Sequence, residues 1–461
     1  MLWLEDEAGE VARVAGATLA GRIGELAKRP RLVVLASCQS AGTGEEGRSS
    51  DRGALAALGP RLAEVGIPAV LAMQGDISMK SVAEFIPVFF KELQRDGLID
   101  RAVAAARGAI AGGRPDWWAP ALFMRLKSGR IWYVPGFQDD PQGFKKWPTL
   151  LGHISGRKCG PIIGPGAIES LVGTTRDIAR RWADVYRYPM APYEREDLPQ
   201  VAQYLAVNQD KDTMRAELAE SLRREILRRH GSRLAAEAPA DINGLIEQVW
   251  TRRWAGEETE LHKVLARLPV EIYVTTNLDN LLARALQDEQ KHPEVDFCRW
   301  NDIYDAPESI FRRDPGYRPS VERPLVYHLF GRLAVPDSLV LTEEDYFDYL
   351  IGVTRKQRDS IPSVVRRALV NNALLFIGFQ MHDWPFRILF RSIMQQEGHE
   401  KGRNVSHVAV QVDPEEGRLL EPEAARDYLK SYFLDANVSI YWDSAEDFAR
   451  ELQGRVRAPR G

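Results

Sequence analysis

The chain has 461 residues, which corresponds to two or three domains at a typical size of roughly 150 residues per domain. Hydrophobic residues make up 44% and charged residues 27%, a composition that supports sizeable cores and argues against wholesale disorder. The 61 Lys and Arg residues against 65 Asp and Glu give a net charge of -4, without the basic excess of a dedicated nucleic-acid-binding protein.

The three cysteines, Cys38, Cys159 and Cys298, lie far apart and predict neither a disulfide framework nor a zinc site. The N-terminus is acidic where a signal peptide is basic and then apolar, and no run of 18 apolar residues occurs. We therefore expect a cytoplasmic protein without a bound metal or a membrane partner, and a nucleic-acid partner is not indicated.

The first 135 or so residues alternate apolar runs with helical patterns. Short apolar runs separated by amphipathic stretches predict buried strands of an α/β sheet. The predicted strands are Arg31–Ala36, Ile67–Met73 and Ala121–Arg125, and the helical patterns are Gly53–Val65, Ser81–Asp96 and Asp100–Ala111.

Residues 137–159 are rich in Gly, Pro and Lys, which is typical of a linker. We place a domain boundary there, between a domain at 1–136 and a second at 160–455. The second domain carries a charged helical insertion at Thr174–Tyr188 and Asp210–Arg229. Its order of strands and helices predicts another doubly wound α/β sheet. The later predicted strands are Val270–Thr276, Leu325–Phe330, Ala373–Phe379, His407–Val412 and Val438–Tyr441.

Cys38 lies just past the first predicted strand, in the segment LVVLASCQSA. Open α/β sheets expose reactive side chains at the carboxyl ends of their strands, so this is a position for a nucleophile. A cysteine there is also compatible with a small buried hydrophobic residue. Both interpretations remain open from this residue alone.

Three blocks in the first domain resemble a CHAT domain, a caspase-like cysteine peptidase: the Cys38 segment, the stretch Gly53–Leu58 with Gly66–Gly75, and Trp117–Phe123. The resemblance implies Cys38 as the nucleophile and a peptide target. It also implies a histidine upstream of the segment that Leu2–Asp6 resembles, whereas this sequence has no histidine before His153. We therefore expect either a domain truncated at its N-terminus or a remnant of such a domain, and in both cases no peptide hydrolysis by a Cys-His dyad.

Two candidate nucleotide-binding elements occur in the second domain. The turn Gly164-Pro165-Gly166-Ala167 follows an apolar run, and its glycines let the backbone approach a pyrophosphate, although a plain turn is the alternative. Asn277 and Asp279 end the strand at Val270–Thr276 and can reach a ribose or an amide. Helix capping by Asp279 is the alternative there.

The second domain contains two further candidate elements, which follow later in the sequence. His328 lies on the strand that precedes Gly331, and the strand at Ala373–Phe379 contains Gly378 and runs towards Asp383. A histidine on a strand is commonly a satisfied core residue, so His328 alone indicates little.

Together the four elements resemble the sirtuin-like family of bacterial defence effectors. The resemblance implies a Rossmann-type sheet that binds NAD and cleaves its nicotinamide glycosidic bond. It assigns Gly164, Gly166 and Ala167 to the phosphate loop, Asn277 and Asp279 to the ribose and nicotinamide side, and Gly378 with Asp383 to the far ribose and closing loop.

The sequence departs from this family at two positions. The family histidine usually immediately precedes the glycine, where this chain has Phe330, and His328 lies about 6–7 Å away along an ideal strand. Ile168 replaces a common serine or threonine. We take His328 as the candidate base, with Asn277 positioning water or the carboxamide and Asp279 supporting the charge. Deacetylation is disfavoured, because the family's deacetylases usually carry a four-cysteine zinc module.

The leading hypothesis is an NAD glycohydrolase that acts as a regulated anti-phage effector, with an incomplete CHAT peptidase domain. Unregulated NAD cleavage would kill the host, so we expect a protein trigger or assembly into an oligomer. The alternative is a catalytically weak nucleotide sensor that regulates a CHAT cysteine peptidase.

Overall fold

The computed structural model describes most of the chain, with gaps between the described segments. The described residues are 2–5, 10–24, 30–41, 57–126, 129–131, 136–137, 145–191, 194–231, 241–301, 307–354, 360–380, 384–394, 406–411, 422–434 and 436–457. They divide into two compact units, one of residues 1–134 with 414–427 and one of residues 135–413 with 428–461.

The smaller unit contains a separate antiparallel pair, β1 with β2, and a three-stranded sheet in the order β3-β4-β5. Strands β3 and β4 are parallel, and β5 runs antiparallel to β4. Its elements are β1 (Leu2–Glu5), β2 (Val11–Val14), α1 (Gly16–Gly24), β3 (Leu32–Val34), α2 (Leu58–Glu64), β4 (Ala69–Met73), α3 (Met79–Asp96), α4 (Ile99–Ala111) and β5 (Pro120–Met124).

Strand β4 is buried at every position because α3 and α4 pack on one face of the sheet and α1 and α2 on the other. Ala69 and Leu71 join Phe85 and Phe89 of α3 in one cluster, whereas Val70 joins Leu62 of α2 in another. This alternation follows from the two-residue period of a strand. The predicted α/β class holds for this unit.

The larger unit begins with a short strand and ends with a helix. Its elements are β6 (Gly136–Phe137), α5 (Lys146–Ser155), β7 (Cys159–Ile163), α6 (Glu169–Val172), α7 (Thr175–Val185), α8 (Leu198–Asn208), α9 (Lys211–His230), α10 (Ile242–Arg253), α11 (Leu261–Arg267), β8 (Ile272–Thr275), α12 (Leu281–Asp288), β9 (Glu294–Phe297), α13 (Ile310–Arg313), β10 (Leu325–His328), α14 (Glu343–Thr354), α15 (Ser363–Asn371), β11 (Ala373–Phe379), α16 (Trp384–Met394), β12 (His407–Gln411), α17 (Pro422–Leu434), β13 (Val438–Trp442) and α18 (Ala445–Arg457). Helix α17 belongs to this unit from Tyr428 onwards, and its first residues, 422–427, belong to the smaller unit.

These strands form an eight-stranded sheet in the order β6-β13-β12-β11-β7-β8-β10-β9, parallel except for β6. From β7 the chain moves to β8 on one side of the sheet, and later strands continue from β11 on the other side. The reversal therefore lies at β7, where the carboxyl ends of an open parallel sheet leave a crevice for a ligand.

The sheet is covered on both faces, which explains its continuous apolar strands. All seven residues of β11 are buried. Leu375 and Ile377 join one hydrophobic cluster, whereas Leu374 and Phe376 join the other. The predicted doubly wound α/β sheet with its helical insertion is confirmed.

The segment at 137–159, interpreted from composition as a linker, contains the end of β6 and helix α5. Trp147 of α5 stacks on Phe448 and meets Phe137 and Tyr441 edge-on. These aromatic contacts lie in the core of the larger unit. Within the part of the chain that the structure describes, no helix is long and apolar enough to cross a membrane.

Candidate functional site

The glycine turn after β7 packs directly against the end of β11. Gly164 N donates to Ile377 O at 2.7 Å. A Cβ on Gly164 would lie 2.7 Å from Gly378 O, and one on Gly166 would lie 2.9 Å from the same atom. Gly378 has φ +77°, which a glycine adopts without strain. The three predicted glycines thus close a tight junction at the point where the sheet reverses its order.

Ala167 ends the short 3-10 turn Pro165–Ala167 that follows Gly164. The glycines are needed for the local packing of this turn, as expected if it is a plain turn. The turn also lies at the crevice where a ligand would bind, as expected if it is a phosphate loop. Arg176 of α7 adds a nearby cation, since its Nη2 donates to Gln380 Oε1 at 3.5 Å just beyond β11. Asp383 lies outside the described residues.

Asn277 and Asp279 lie at the carboxyl end of β8 and are almost fully buried. Asn277 N donates to Thr275 Oγ1 at 2.9 Å, and Thr275 Oγ1 in turn donates to Ile163 O of β7 at 3.2 Å. Asp279 Oδ1 accepts from Leu281 N at 2.8 Å, so one carboxylate oxygen caps α12. The other oxygen, Oδ2, has no protein partner.

The ring of His328, at the end of β10, contacts the residue that ends the neighbouring strand. Its Nδ1 lies 2.8 Å from Asn277 O. A carbonyl oxygen only accepts, so Nδ1 carries the proton. Burial and the charge of Arg332 lower the pKa of His328 to about 3, although the hydrogen bond to Asn277 O acts in the opposite direction. At neutral pH the ring is uncharged, and Nε2 presents a lone pair.

Three buried acceptor atoms in this region have no partner: Asn277 Oδ1, Asp279 Oδ2 and His328 Nε2. Their residues are 6%, 5% and 1% exposed. A buried polar atom without a hydrogen bond costs about 1–3 kcal/mol, so these three acceptors favour a bound ligand or water that supplies hydrogen-bond donors. Because all three accept, that ligand offers hydroxyl or amide donors, or positive charge.

Phe330 points into a different environment from His328. Its ring meets Tyr346 and Tyr349 edge-on at 5.2 Å and belongs to the second hydrophobic cluster. Strand β10 ends at His328, so the strand alternation no longer applies at Phe330. The chain therefore brings His328 to Asn277 and takes Phe330 into the core.

Two charged features near these residues were missed from the sequence. Arg332, after the turn at Gly331, donates to Asn280 Oδ1 at 3.0 Å. Glu260 and His262 form a buried pair in which Oε1 and Nδ1 are 2.7 Å apart. Arg332 could have been found from the sequence because it directly follows Gly331, whereas Glu260 and His262 match no motif. Among the residues that the structure describes, no cluster of three or more His, Cys, Asp or Glu could hold a metal ion.

Cys38 belongs to the smaller unit, in an exposed turn that follows β3. Its Sγ donates to Ile77 O at 3.4 Å. The sequence contains no histidine before His153. The described surroundings of Cys38 therefore offer an accessible thiol without an imidazole to take its proton.

Iodoacetamide is expected to label Cys38 in the native protein well before the other two cysteines. Cys159 and Cys298 are 3% and 0% exposed, and burial raises the pKa of each thiol to about 12. Intact-mass spectrometry should show one rapid addition, absent from a Cys38→Ser variant. Modification of Cys159 or Cys298 at the rate of Cys38 in a peptide map would contradict this burial.

Comparison with known proteins gives two family matches. Residues 1–127 match the CHAT domain, and residues 271–436 match the SIR2-like domain. The second match contains Asn277, Asp279, His328 and Gly378, and begins after the glycine turn at Gly164.

Relatives named NAD(+) hydrolase ThsA come from several bacteria. The protein of Bacillus cereus (strain MSX-D12) is 31% identical over 142 residues, 31% of this chain and 26% of the relative. That of Acinetobacter baumannii (strain 532279) is 30% identical over 139 residues, 30% of this chain and 24% of the relative. The chain spans about a quarter of the length of these relatives. It joins a CHAT domain to a SIR2-like domain.

Proposed function

We propose that the larger unit hydrolyses NAD to nicotinamide and ADP-ribose. The observation that carries this proposal is the group of three unpartnered acceptors on Asn277, Asp279 and His328. They lie at the carboxyl ends of the adjacent strands β8 and β10, beside the strand β7 at which the sheet reverses. An NAD molecule offers ribose hydroxyls, a carboxamide and a cationic ring to such acceptors.

The reaction breaks the bond between C1 of the ribose and the nicotinamide nitrogen, and the bonding electrons leave with neutral nicotinamide. Positive charge moves from the pyridinium ring to the ribose, where an oxocarbenium-like centre develops. Water then forms the new C1–O bond and releases a proton. A buried, pre-positioned set of acceptors stabilises that charge more than bulk water does, because the dipoles are already oriented.

Each acceptor has a distinct role in this proposal. His328 Nε2 accepts a hydrogen bond from a ribose hydroxyl or from the attacking water. With a pKa of about 3, His328 orients that donor and does not store its proton at neutral pH. Asn277 positions the carboxamide or the water, and Asp279 supports the developing positive charge.

The remaining site residues are assigned to the rest of the nucleotide. We propose that the turn with Gly164, Gly166 and Ala167 faces the pyrophosphate, and that Gly378 and Asp383 belong to the far ribose and closing loop. Gly164, Gly166 and Gly378 support this proposal through their tight junction at the reversal of the sheet. The NAD(+) hydrolase names of the relatives support the choice of substrate.

Regulation and partners are also part of the proposal. We propose a bacterial anti-phage effector that a protein trigger or assembly into an oligomer activates, with the CHAT domain as the sensing part. The exposed Cys38 leaves a peptidase role dependent on a histidine from elsewhere. The alternative is a nucleotide sensor that binds NAD and regulates the CHAT domain.

The experiment is incubation of the purified chain with NAD, followed by chromatography of nicotinamide and ADP-ribose. Asn277→Ala is the test variant and Cys38→Ser is the matched control in the smaller unit. We expect turnover in the wild type and in Cys38→Ser, and its loss in Asn277→Ala. NAD binding by calorimetry without turnover would favour the sensor or an enzyme that awaits its trigger, and the absence of both binding and turnover would overturn the proposal.

A further inference from the structure

A buried pair, Glu260 and His262, lies at the start of α11. Glu260 Oε2 accepts from Lys263 N at 3.0 Å and caps the helix. Its other oxygen, Oε1, lies 2.7 Å from His262 Nδ1. Both side chains are buried, and the ring of Trp250 meets the imidazole edge-on at 6.5 Å. Capping needs one carboxylate oxygen, so the contact with His262 goes beyond the needs of the helix.

The position of α11 brings this pair close to Asp279. Helix α11 packs against α12, and Asp279 caps α12 through Oδ1. His262 and Asp279 interact electrostatically, each favouring the charged form of the other. The orphaned Oδ2 of Asp279 remains available for a ligand.

Asp279 lies in surroundings that mostly oppose its charge. Burial raises the pKa of its carboxyl, while His262 and the amide of Leu281 act in the opposite direction. Glu247 of α10 is a further carboxylate within electrostatic range, and it is 3.9 Å from Arg284 of α12. Among the described groups that act on Asp279, His262 is therefore the source of a compensating positive charge.

The contact between Glu260 and His262 favours the positively charged form of His262. Burial opposes protonation of His262, but the carboxylate of Glu260 and the charge of Asp279 outweigh it, so the pKa of His262 is raised. Burial likewise opposes ionisation of Glu260, and its contacts with His262, Trp250 and Lys263 lower the pKa to about 2. Glu260 is thus a carboxylate throughout the working pH range and favours the imidazolium form of its partner.

We propose that Glu260 and His262 are positioning residues that keep the Asp279 carboxylate ionised for the nucleotide. This inference rests on the proposed function of the site. Without the positive charge of His262, only backbone hydrogen bonds such as that from Leu281 N would oppose burial, and the Asp279 carboxyl would hold its proton to higher pH. Its Oδ2 would then cease to be a full acceptor as the pH falls.

The first test is the pH dependence of kcat/KM and of NAD affinity in His262→Gln and Glu260→Gln. The acid limb of the pH profile of kcat/KM is expected to move up by about one pH unit in both variants. At pH values below that limb, kcat/KM would then be about tenfold lower than in the wild type. His407→Gln is the matched control, because His407 is also buried and its Nδ1 accepts from Leu374 N at 3.0 Å. An unchanged acid limb in His262→Gln would overturn the proposal.

The second test does not depend on NAD. Titration of His262 by NMR of ¹⁵N-labelled histidine is expected to show a lower pKa in Asp279→Asn than in the wild type, because a neutral side chain replaces the carboxylate. An identical pKa in the two proteins would overturn the coupling. A wild-type chain that neither binds nor cleaves NAD would overturn the proposed function instead, and the titration would still decide the coupling.

Discussion

Replacement of His328 by alanine is expected to lower kcat for NAD cleavage by about 10²–10³-fold, with a much smaller change in KM. The substitution removes Nε2, the buried acceptor that has no partner within the protein. An acceptor that acts on charge developing during bond cleavage stabilises the transition state more than the bound substrate, so its loss falls on kcat. Steady-state kinetics with chromatographic detection of nicotinamide provide the measurement.

Phe330→Leu is the control that separates the two candidate positions on this segment. The Phe330 ring packs with Tyr346 and Tyr349, so leucine at this position is expected to reduce stability and leave kcat close to that of the wild type. Retained kcat in His328→Ala together with a large loss in Phe330→Leu would contradict the assignment of His328.

Gly331→Ala is expected to destabilise the larger unit by about 2–6 kcal/mol, from backbone strain and from overlap. Gly331 has φ +86°, and a Cβ there would overlap the carbonyl group of Ser338 and approach Leu339 N to 2.7 Å. The clashing atoms belong to the backbone, which cannot move aside as a flexible side chain can. Thermal or urea unfolding, monitored by circular dichroism, measures the change.

Gly454→Ala is the matched control for this prediction. Gly454 lies within α18, and a Cβ there would meet nothing within 4 Å. Alanine in a helix interior is expected to stabilise by about 0.5–1 kcal/mol. Equal unfolding midpoints for Gly331→Ala and the wild type would show that the turn before Arg332 is less constrained than its geometry indicates.

The strands of the larger sheet could be predicted where apolar runs are continuous. The expectation for Ala373–Phe379 coincides with β11, because helices cover both faces and every residue is buried. Strand β9 was missed, since Glu294 and Asp296 interrupt its apolar pattern. Asp296 is nevertheless buried, and it accepts from Ser309 Oγ at 2.6 Å and from Arg299 Nη1 at 2.8 Å. These hydrogen bonds, from a residue three positions away and from one thirteen positions away, are not visible in the apolar pattern of the strand.

The sequence supplied candidate residues for the proposed site but not their contacts. Motif order identified Asn277, Asp279 and His328, whereas the spacing of Phe330 and His328 left open which of them faces the site. In the structure β10 ends at His328 and Phe330 packs into a hydrophobic cluster, which supports the proposed role of His328. The Glu260–His262 pair depends on the packing of α11 against α12, which no local pattern encodes.

The most direct test of the central claim is a crystal structure of the chain with carba-NAD, an analogue whose nicotinamide bond is not hydrolysed. The account predicts donors of the nicotinamide ribose, its carboxamide or an ordered water within hydrogen-bond distance of Asn277 Oδ1, Asp279 Oδ2 and His328 Nε2. It also predicts the pyrophosphate against the turn at Gly164. A nucleotide bound elsewhere, with these three acceptors still unpartnered, would contradict the account.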